Sequence, residues 1–289
     1  MATTFVWSGT GAMTRAQATW LADGRRLHLH HGPIDMIVEA WGPGRGTAFA
    51  RAVARFETVL QELVDELPRL RVENGPVPKS ETARAMCRAI APFSDRFITP
   101  MAAVAGAGAD TILSAMTGGP GVSRAYVNNG GDIAFHIAPG EAMRIAMPGT
   151  GTARVASCDP VRGVATSGRD GRSHSRGIAD QVTVLAGTAA QADAAATMIA
   201  NAVDLPGHPA ITRVPARDLS PDSDLGARLV TTHVGVLSTE DTKRALDRGA
   251  GYADQLRQRG LIQAAALCLR GETWLIGTLA LQQTDLTYA

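Results

Sequence analysis

The chain has 289 residues, of which 28 are Lys or Arg and 27 are Asp or Glu, so its net charge is +1. This balance argues against a nucleic-acid-binding surface and against a polybasic membrane patch. No apolar run reaches the ~20 residues of a membrane helix. The sequence shows no signal peptide, and its three widely spaced cysteines predict no disulfide framework. We therefore expect a cytoplasmic protein that interacts with neither nucleic acid nor membranes.

The N-terminal half of the chain predicts an arm, a hairpin and then helices. Residues 1–22 are expected to form a flexible arm, and two strands over Arg26–His30 and Ile34–Ala40 pair around a Gly-Pro turn. Apolar residues alternate between spacings of three and four from Phe49 to Leu67, which predicts a helix. The apolar face of this helix packs either in the core or in a dimer interface. Further helices are predicted over residues 80–91, 99–110, 189–203 and 241–260.

From Ala125 onwards the apolar residues recur at every second position, which predicts strands. The strands are expected at residues 125–128, 132–137, 143–147, 154–157, 163–166 and 181–186, with a closing hairpin at 261–269 and 272–281. Residues 205–223 contain four prolines and are predicted to cross the surface as a loop. Because strands and helices are clustered and do not alternate strictly, we predict an α+β fold with a single domain over residues 23–289.

Two histidines on one face of the first predicted hairpin are a candidate metal site. His28 and His30 are two residues apart, and side chains at that spacing point the same way from a strand. No third ligand is close in the sequence. Hydrogen-bonded or solvent-exposed histidines are therefore the interpretation that we favour.

Four polar or glycine-rich segments are the better candidates for a ligand site. Residues 94–101 lead into a helix of very small side chains, which permits close approach by either a ligand or another helix. Residues 127–132 end a strand in a Gly-Gly turn, where N–H groups are exposed unless it is an ordinary hairpin. Residues 166–175 are almost entirely polar or glycine, as in a phosphate-binding loop or a solvated one.

The fourth segment carries a carboxylate and a hydroxyl on one helical face. Asp193 and Thr197 are four residues apart, so both oxygens project from the same side of the predicted helix. The residues between them include only alanines, which leaves an uncrowded oxygen site suited to Mg²⁺. The alternative is that Asp193 pairs with Arg169 or Arg172.

The order of these segments resembles a known superfamily. An Asn-x-Gly-Gly-Asp turn, then Ala-Thr-Ser-Gly, then a Val-Thr-Val-x-Ala strand and an Ala-Asp-Ala-x-x-Thr helix are similar to the ApbE superfamily of flavin transferases over residues 124–203. His31-Gly32-Pro33-Ile34-Asp35, residues 99–106 and residues 174–180 resemble a narrower ApbE-like uncharacterised protein family (UPF number 0280). The resemblance implies an ApbE-like, T-fold-related arrangement of mixed sheets packed with helices.

The resemblance also implies a ligand and its site. Asp193 and Thr197 would hold Mg²⁺ against the pyrophosphate of FAD while FMN is moved to a Thr or Ser of an acceptor protein. The pocket for the flavin or other nucleotide-like ligand would be lined by Thr99, Asn128, Gly130, Gly131, Asp132, Thr166, Ser167, Gly168, His174 and Asp180. No catalytic residue is implied.

Two features of the sequence differ from the transferase pattern. Ser167-Gly168 is followed by Arg169-Asp170-Gly171 where transferases carry an aromatic residue, and the segment 177–181 keeps an Ile and an Asp but lacks the family's Pro, Thr and Gly. Two functions therefore stay open: an Mg²⁺-dependent FMN transferase, and a binding or accessory protein of C1-carrier or sulfur metabolism that uses the same pocket. Because symmetric dimers are the commonest soluble assemblies, we also expect a homodimer.

Overall fold

The computed structural model describes residues 15–147, 151–171, 173–277 and 281–282. Its strands are β1 Gln17–Trp20, β2 Leu27–His31, β3 Ile34–Trp41, β4 Arg124–Asn129, β5 Asp132–Ile137, β6 Ala142–Met147, β7 Gly151–Ala156, β8 Gly163–Ser167, β9 Gln181–Ala186, β10 Ile211–Pro215, β11 Leu229–Val234, β12 Ala264–Leu269, β13 Glu272–Ile276 and β14 Leu281–Gln282. Its helices are α1 Arg45–Asp65, α2 Leu67–Leu70, α3 Glu81–Ile90, α4 Val104–Thr117, α5 Ala189–Ala202, α6 Ala216–Leu219 and α7 Thr239–Gln258.

A nine-stranded antiparallel sheet is the centre of the fold. Its strand order is β1-β2-β3-β4-β5-β8-β9-β12-β13, so it contains strands from both ends of the described chain. The helices α1, α3, α4, α5 and α7 form one hydrophobic core with one face of this sheet. On the other face, β6 and β7 cover β5, β8 and β9 and enclose a second, smaller core. This mixture of a large antiparallel sheet and packed helices is the predicted α+β class.

The apolar face of α1 is internal. Phe49, Phe56, Leu60 and Leu63 are buried against the sheet and the neighbouring helices, as their helical spacing predicts. The helix ends just before Leu67 and Pro68, where the missing N–H of proline is tolerated in the first turn of α2. This face of α1 is therefore a core element and does not supply a dimer surface.

Two parts of the chain differ from the sequence-based expectation. Residues 17–20 of the expected arm pair with β2 as strand β1, whereas residues 1–14 lie outside the described part. The expected surface loop of residues 205–223 contains β10 and α6, and β10 pairs with β11, which the sequence did not predict. Pro215 ends β10 in a two-stranded sheet, where a strand can lack an N–H donor on its outer side. Several prolines in a segment therefore do not exclude an edge strand.

The helices α4 and α5 pack unusually closely because glycines replace side chains at their contact. A Cβ atom on Gly106 of α4 would lie 2.3 Å from the carbonyl oxygen of Ala189, the first residue of α5. A Cβ atom on Gly163 of β8 would lie 2.1 Å from the backbone nitrogen of the same Ala189. The start of α5 is therefore wedged between α4 and the sheet, which explains the small residues of α4 by packing.

We predict that Gly106→Ala destabilises the protein strongly. The added methyl group meets a backbone carbonyl, which cannot move away as a flexible side chain can, so the free energy of unfolding should fall by about 3 kcal/mol. Urea denaturation measures this change. The matched control is Gly251→Ala in α7, which has open space around it and should gain about 0.5–1 kcal/mol. Equal stabilities of the two variants would contradict the close contact.

Candidate functional site

Two aspartates hold the N-termini of α4 and α5 in a reciprocal arrangement. The carboxylate of Asp110, on α4, accepts hydrogen bonds from the N–H groups of Ala189 and Ala190 at 3.0 and 2.9 Å, at the start of α5. The Oδ2 atom of Asp193, on α5, accepts a hydrogen bond of 3.0 Å from the N–H of Gly106 in the first turn of α4. Each helix therefore supplies the carboxylate that caps the other helix.

The local sequence explains why α4 needs a partner of this kind. Its N-cap residue is Ala103, which has no side-chain oxygen to bind the first N–H groups of the helix. In contrast, α5 has its own cap, because the side chain of Thr188 accepts a hydrogen bond from the N–H of Gln191. Asp193 thus has a structural partner in the backbone.

A third aspartate, Asp132, lies close enough to Asp193 for the two carboxylates to repel each other. Asp132 is the first residue of β5 and follows the Gly-Gly turn, and its Oδ1 atom accepts a hydrogen bond of 3.2 Å from the N–H of Thr166. It is on the same side of β5 as Ala134, which packs in the core beneath the helices. The side chain of Asp132 therefore points towards α4 and α5.

The pKa values of these aspartates reflect their crowding. Burial raises the pKa of Asp193 well above its ordinary value, and repulsion from Asp132 and Asp110 adds to this, although the N–H groups of Gly106 and Ala105 act in the opposite direction. Burial likewise raises the pKa of Asp132, and raises that of Asp110 to about 6. The Asp132–Asp193 pair thus holds two carboxyl groups that repel each other when both are ionised.

Further oxygen groups lie on the same side of the sheet. Ser167 is paired with Val182, whose side chain packs in the core under the helices, so Ser167 points to the helical side as well. Asn129 also points there, because its side-chain amide donates a hydrogen bond of 2.9 Å to the carbonyl of Ala105. Thr197 is partly exposed and lies one turn after Asp193 on α5.

The residue types of this site suit a divalent cation. Asp193, Thr197, Asp132 and Ser167 offer only oxygen atoms, which are the ligands that Mg²⁺ prefers, and a cation near the two carboxylates would remove their mutual repulsion. Among the described residues, no group of three or more His, Cys, Asp and Glu side chains could hold a metal ion. Any cation here would therefore need backbone carbonyls, water or ligand phosphates to complete its coordination.

The Gly-Gly turn exposes its backbone, and the side chain of Asn128 stabilises the turn. Gly130 and Gly131 have φ values of +66° and +112°, which favour glycine, and both are exposed. Asn128 lies on the opposite face of the sheet from Asn129, and its side chain accepts a hydrogen bond of 2.8 Å from the N–H of Gly131. The structure therefore brings Asn129, not Asn128, to the helical side.

The predicted loop residues divide between the two faces of the sheet. Thr166 offers its backbone N–H to Asp132, but its hydroxyl lies 3.0 Å from that of Thr183 on the opposite face. Gly168 packs against the carbonyl of Asp180, where a Cβ atom would lie 2.4 Å from the oxygen. The carboxylate of Asp180 binds the guanidinium of Arg169 at 2.7 and 2.9 Å.

The remaining predicted residues have different surroundings. Thr99 is buried, and its hydroxyl donates a hydrogen bond to the carboxylate of Asp224. His174 is exposed in the loop between β8 and β9. Of the two arginines considered as partners of Asp193, Arg169 binds Asp180 and Arg172 lies outside the described residues.

In the other metal candidate, one histidine is hydrogen-bonded to the neighbouring strand. His28 Nε2 lies 3.1 Å from Asp35 Oδ1 on the next strand, and the rings of His28 and His30 are 6.2 Å apart. This agrees with the hydrogen-bonded interpretation of the two histidines.

Asp110 and Asn129 are the site residues that the sequence analysis missed. Both had a signal: Asp110 is the one charged residue of a helix otherwise made of small and apolar side chains, and Asn129 precedes the Gly-Gly turn on the same strand face as buried Val127. Because side chains alternate between the two faces of a strand, this spacing alone places Asn129, and not Asn128, on the buried face.

Comparison with known proteins identifies the family. A family model described as "AbpE bacteria" matches residues 18–275 of the chain. Over 176 residues, which are 58% of this chain and 69% of its relative, the sequence is 36% identical to the UPF0280 protein MK0206 of Methanopyrus kandleri. This chain belongs to the ApbE-like UPF0280 family. The matched range spans the helices α4 and α5 and the strand β5.

A solved structure is also similar to this chain. The crystal structure of the Pseudomonas stutzeri flavinyl transferase ApbE, in its apo form, matches with a TM-score of 0.44 and 14% identity. The match covers 93% of this chain and 97% of that chain. None of the helices in the described ranges is long and apolar enough to span a membrane.

We predict that Asp132 makes stability fall as the pH rises. A carboxyl group with a raised pKa binds more protons in the folded than in the unfolded protein, so its contribution is greatest at low pH and is lost above the ordinary Asp value of 3.8. In EDTA, Asp132→Asn should therefore gain stability relative to the wild type as the pH approaches neutrality, by about 2 kcal/mol. Urea denaturation at a series of pH values measures the difference.

The comparison with wild type is needed because other carboxyl groups act in the opposite direction. Backbone N–H groups of Arg26 and Arg25, for example, lower the pKa of Asp23. Asp254→Asn, at an exposed position on α7, is the matched control and should show no such pH-dependent gain. A constant difference between Asp132→Asn and wild type at all pH values would show that Asp132 is not strained by burial.

Proposed function

We propose that this protein binds FAD, or a closely related nucleotide, through Mg²⁺ held at Asp193 and Thr197, and transfers FMN to an acceptor protein. The observation that carries the proposal is the pair of adjacent carboxylates, Asp132 and Asp193, at a site whose other donors are also oxygen. Membership of an ApbE-like family supports a flavin as the ligand.

The residues of the site have separate roles in this proposal. Asp193 would bind the cation through the oxygen that does not face Gly106, and Thr197 would add its hydroxyl from the next turn of α5. Asp132 and Ser167 would contact the cation or its water molecules. When bound, Mg²⁺ would neutralise the pyrophosphate and stabilise the charge that develops on it.

The chemistry of FMN transfer is a phosphoryl substitution. The hydroxyl oxygen of an acceptor Thr or Ser forms a bond to the phosphorus of the FMN half, the pyrophosphate P–O bond breaks, and AMP leaves with that oxygen. The hydroxyl proton passes to solvent or to a nearby base. The exposed Gly130-Gly131 turn offers N–H groups near the end of β4, where a phosphate oxygen can approach the backbone closely.

One observation favours the alternative of a binding or accessory protein. Arg169 follows Ser167-Gly168 directly, where the transferase pattern has an aromatic residue, and its guanidinium binds the carboxylate of Asp180. An ion pair therefore lies next to the end of β8, which carries Ser167. Incubation with FAD, Mg²⁺ and a candidate acceptor protein, followed by mass spectrometry of the acceptor, separates the two functions. An acceptor that gains FMN supports transfer, whereas intact FAD binding without modification supports the alternative.

We predict that Asp193→Asn abolishes the Mg²⁺ dependence of FAD binding. The amide keeps an acceptor for the N–H of Gly106 but loses the charge that attracts the cation. Calorimetry should show that Mg²⁺ strengthens FAD binding to the wild type about tenfold or more, equivalent to about 1.4 kcal/mol, and does not do so in the variant. Thr197→Val should reduce the Mg²⁺ effect in part.

Asp254→Asn again serves as the control, since it removes an exposed carboxylate from another helix. Equal affinity of the wild type for FAD with and without Mg²⁺ would disprove the proposed cation site.

The homodimer stays a prediction, and sedimentation as a monomer at micromolar concentration would disprove it.

A further inference from the structure

The hydrogen bonds between α4 and α5 form a closed ring. Asp193 accepts a hydrogen bond from the N–H of Gly106, and Asp110 accepts hydrogen bonds from the N–H groups of Ala189 and Ala190. Gly106 and Asp110 are four residues apart, about one turn of α4. Ala189 and Asp193 are likewise one turn apart on α5. Two contacts separated by a turn on both helices resist rotation of α5 as well as sliding.

The N-terminus of α5 is held by two side chains with different reach. The first four N–H groups of a helix find no acceptor within that helix. Thr188 lies next to α5 in the chain, and its side chain accepts a hydrogen bond from the N–H of Gln191, so this cap is local. Asp110 is 79 residues from Ala189 and belongs to another helix. Of these two caps, the one from Asp110 is the one that links the end of α5 to α4.

The close backbone contact at Gly106 limits how near the two helices come, but it does not fix their rotation. A Cβ atom on Gly106 would lie 2.3 Å from the carbonyl oxygen of Ala189, so the backbones are already in contact. A contact of this kind has little directional preference, whereas hydrogen bonds weaken steeply as they bend. The orientation of α5 therefore depends on the hydrogen bonds from Asp110 and Asp193.

The oxygen groups of the proposed cation site come from two separate elements. Asp132 begins β5, and its carboxylate accepts a hydrogen bond from the N–H of Thr166 on β8. Ser167 also belongs to β8, so both of these groups are fixed to the sheet. Asp193 and Thr197 belong to α5. The placement of α5 therefore sets where the helix oxygen atoms lie relative to those of the sheet.

We propose that Asp110 is a positioning residue for the cation site. By holding the N-terminus of α5 against α4, it keeps Asp193 and Thr197 facing the oxygen groups of the sheet. Asp110 acts through α5 and is not itself a ligand of the cation. The inference rests on the proposed function and deepens it. Misplacement of a site group by about 1 Å can cost about 10²-fold, so the loss of this anchor should be measurable in the Mg²⁺ effect.

The first test needs no ligand and uses the full-length protein in EDTA. Asp110→Asn keeps the size of the side chain, but its amide nitrogen cannot accept, so one hydrogen bond to α5 is lost. Thr188→Ala is the matched control, because it removes a hydrogen bond from the same end of α5 and leaves the link to α4. Exchange of the Gly106 amide hydrogen, measured by NMR, should accelerate about tenfold in Asp110→Asn and less than about twofold in Thr188→Ala.

The second test measures FAD binding with and without Mg²⁺ by calorimetry. The proposed site predicts that Mg²⁺ strengthens binding to the wild type about tenfold or more, and Thr188→Ala should keep this effect. Asp110→Asn should reduce it to about threefold. Asp110→Ala removes the same charge but both hydrogen bonds, so a positioning role predicts a larger loss than in Asp110→Asn. Equal losses in these two variants would show an effect of charge alone and would overturn the proposal.

The results also separate this inference from the proposed function. If Mg²⁺ has no effect on FAD binding to the wild type, the proposed function fails and the positioning role fails with it. If the wild type shows the effect and Asp110→Asn keeps it in full, the positioning role alone is overturned. Equal behaviour of Asp110→Asn and Thr188→Ala in either test overturns it as well, because any weakening of the end of α5 would then be sufficient.

Discussion

The arrangement of the site depends on two reciprocal capping interactions, in which a carboxylate of α4 caps α5 and a carboxylate of α5 caps α4. Asp110 of α4 binds the first N–H groups of α5, and Asp193 of α5 binds an N–H in the first turn of α4. Each helix-capping interaction contributes about 1 kcal/mol to stability. The two interactions together also fix how α4 and α5 cross. Glycine at position 106 allows this crossing to be close.

The same crossing sets the electrostatics of the site. By drawing Asp193 towards the N-terminus of α4, it also brings that carboxylate beside Asp132 at the start of β5. Asp132 is buried and Asp193 is partly buried. Their carboxylates repel each other when both are ionised, and the N–H groups around them offset only part of the cost. Two carboxyl groups that are costly to ionise together are thus built into the contact between two helices and the sheet, and a bound cation would favour their ionised forms and stabilise the site.

Small side chains have two effects in this protein. In α4 and α5 they permit helices to approach through backbone atoms, which is a packing effect. Between Asp193 and Thr197, α5 itself supplies no competing side-chain hydrogen-bond group, since the intervening residues are alanines. The small residues therefore do not have to serve either packing or a ligand site alone. The close packing of α4 and α5 is what places the oxygen atoms of the candidate site.

The sequence by itself determined the class of fold, most of the helices and strands, and the family. Periodic apolar residues are sufficient to predict the helices and strands, since burial of one face imposes the period of each element. The family was indicated by the order of four sequence motifs. Local rules also predicted the turn at Gly130-Gly131. These features depend on residues that are close together in the chain.

Only the tertiary structure decided which polar residues meet. The sequence could not show that Asp193 contacts Gly106, that Asp110 caps α5, or that Arg169 is held by Asp180, because the partners of the two caps are more than 75 residues apart and the third pair spans a loop without periodicity. The pairing of β10 with β11 was missed for the same reason. Hydrogen bonds between distant segments leave no local pattern, so residue types can be read from the chain whereas their contacts cannot.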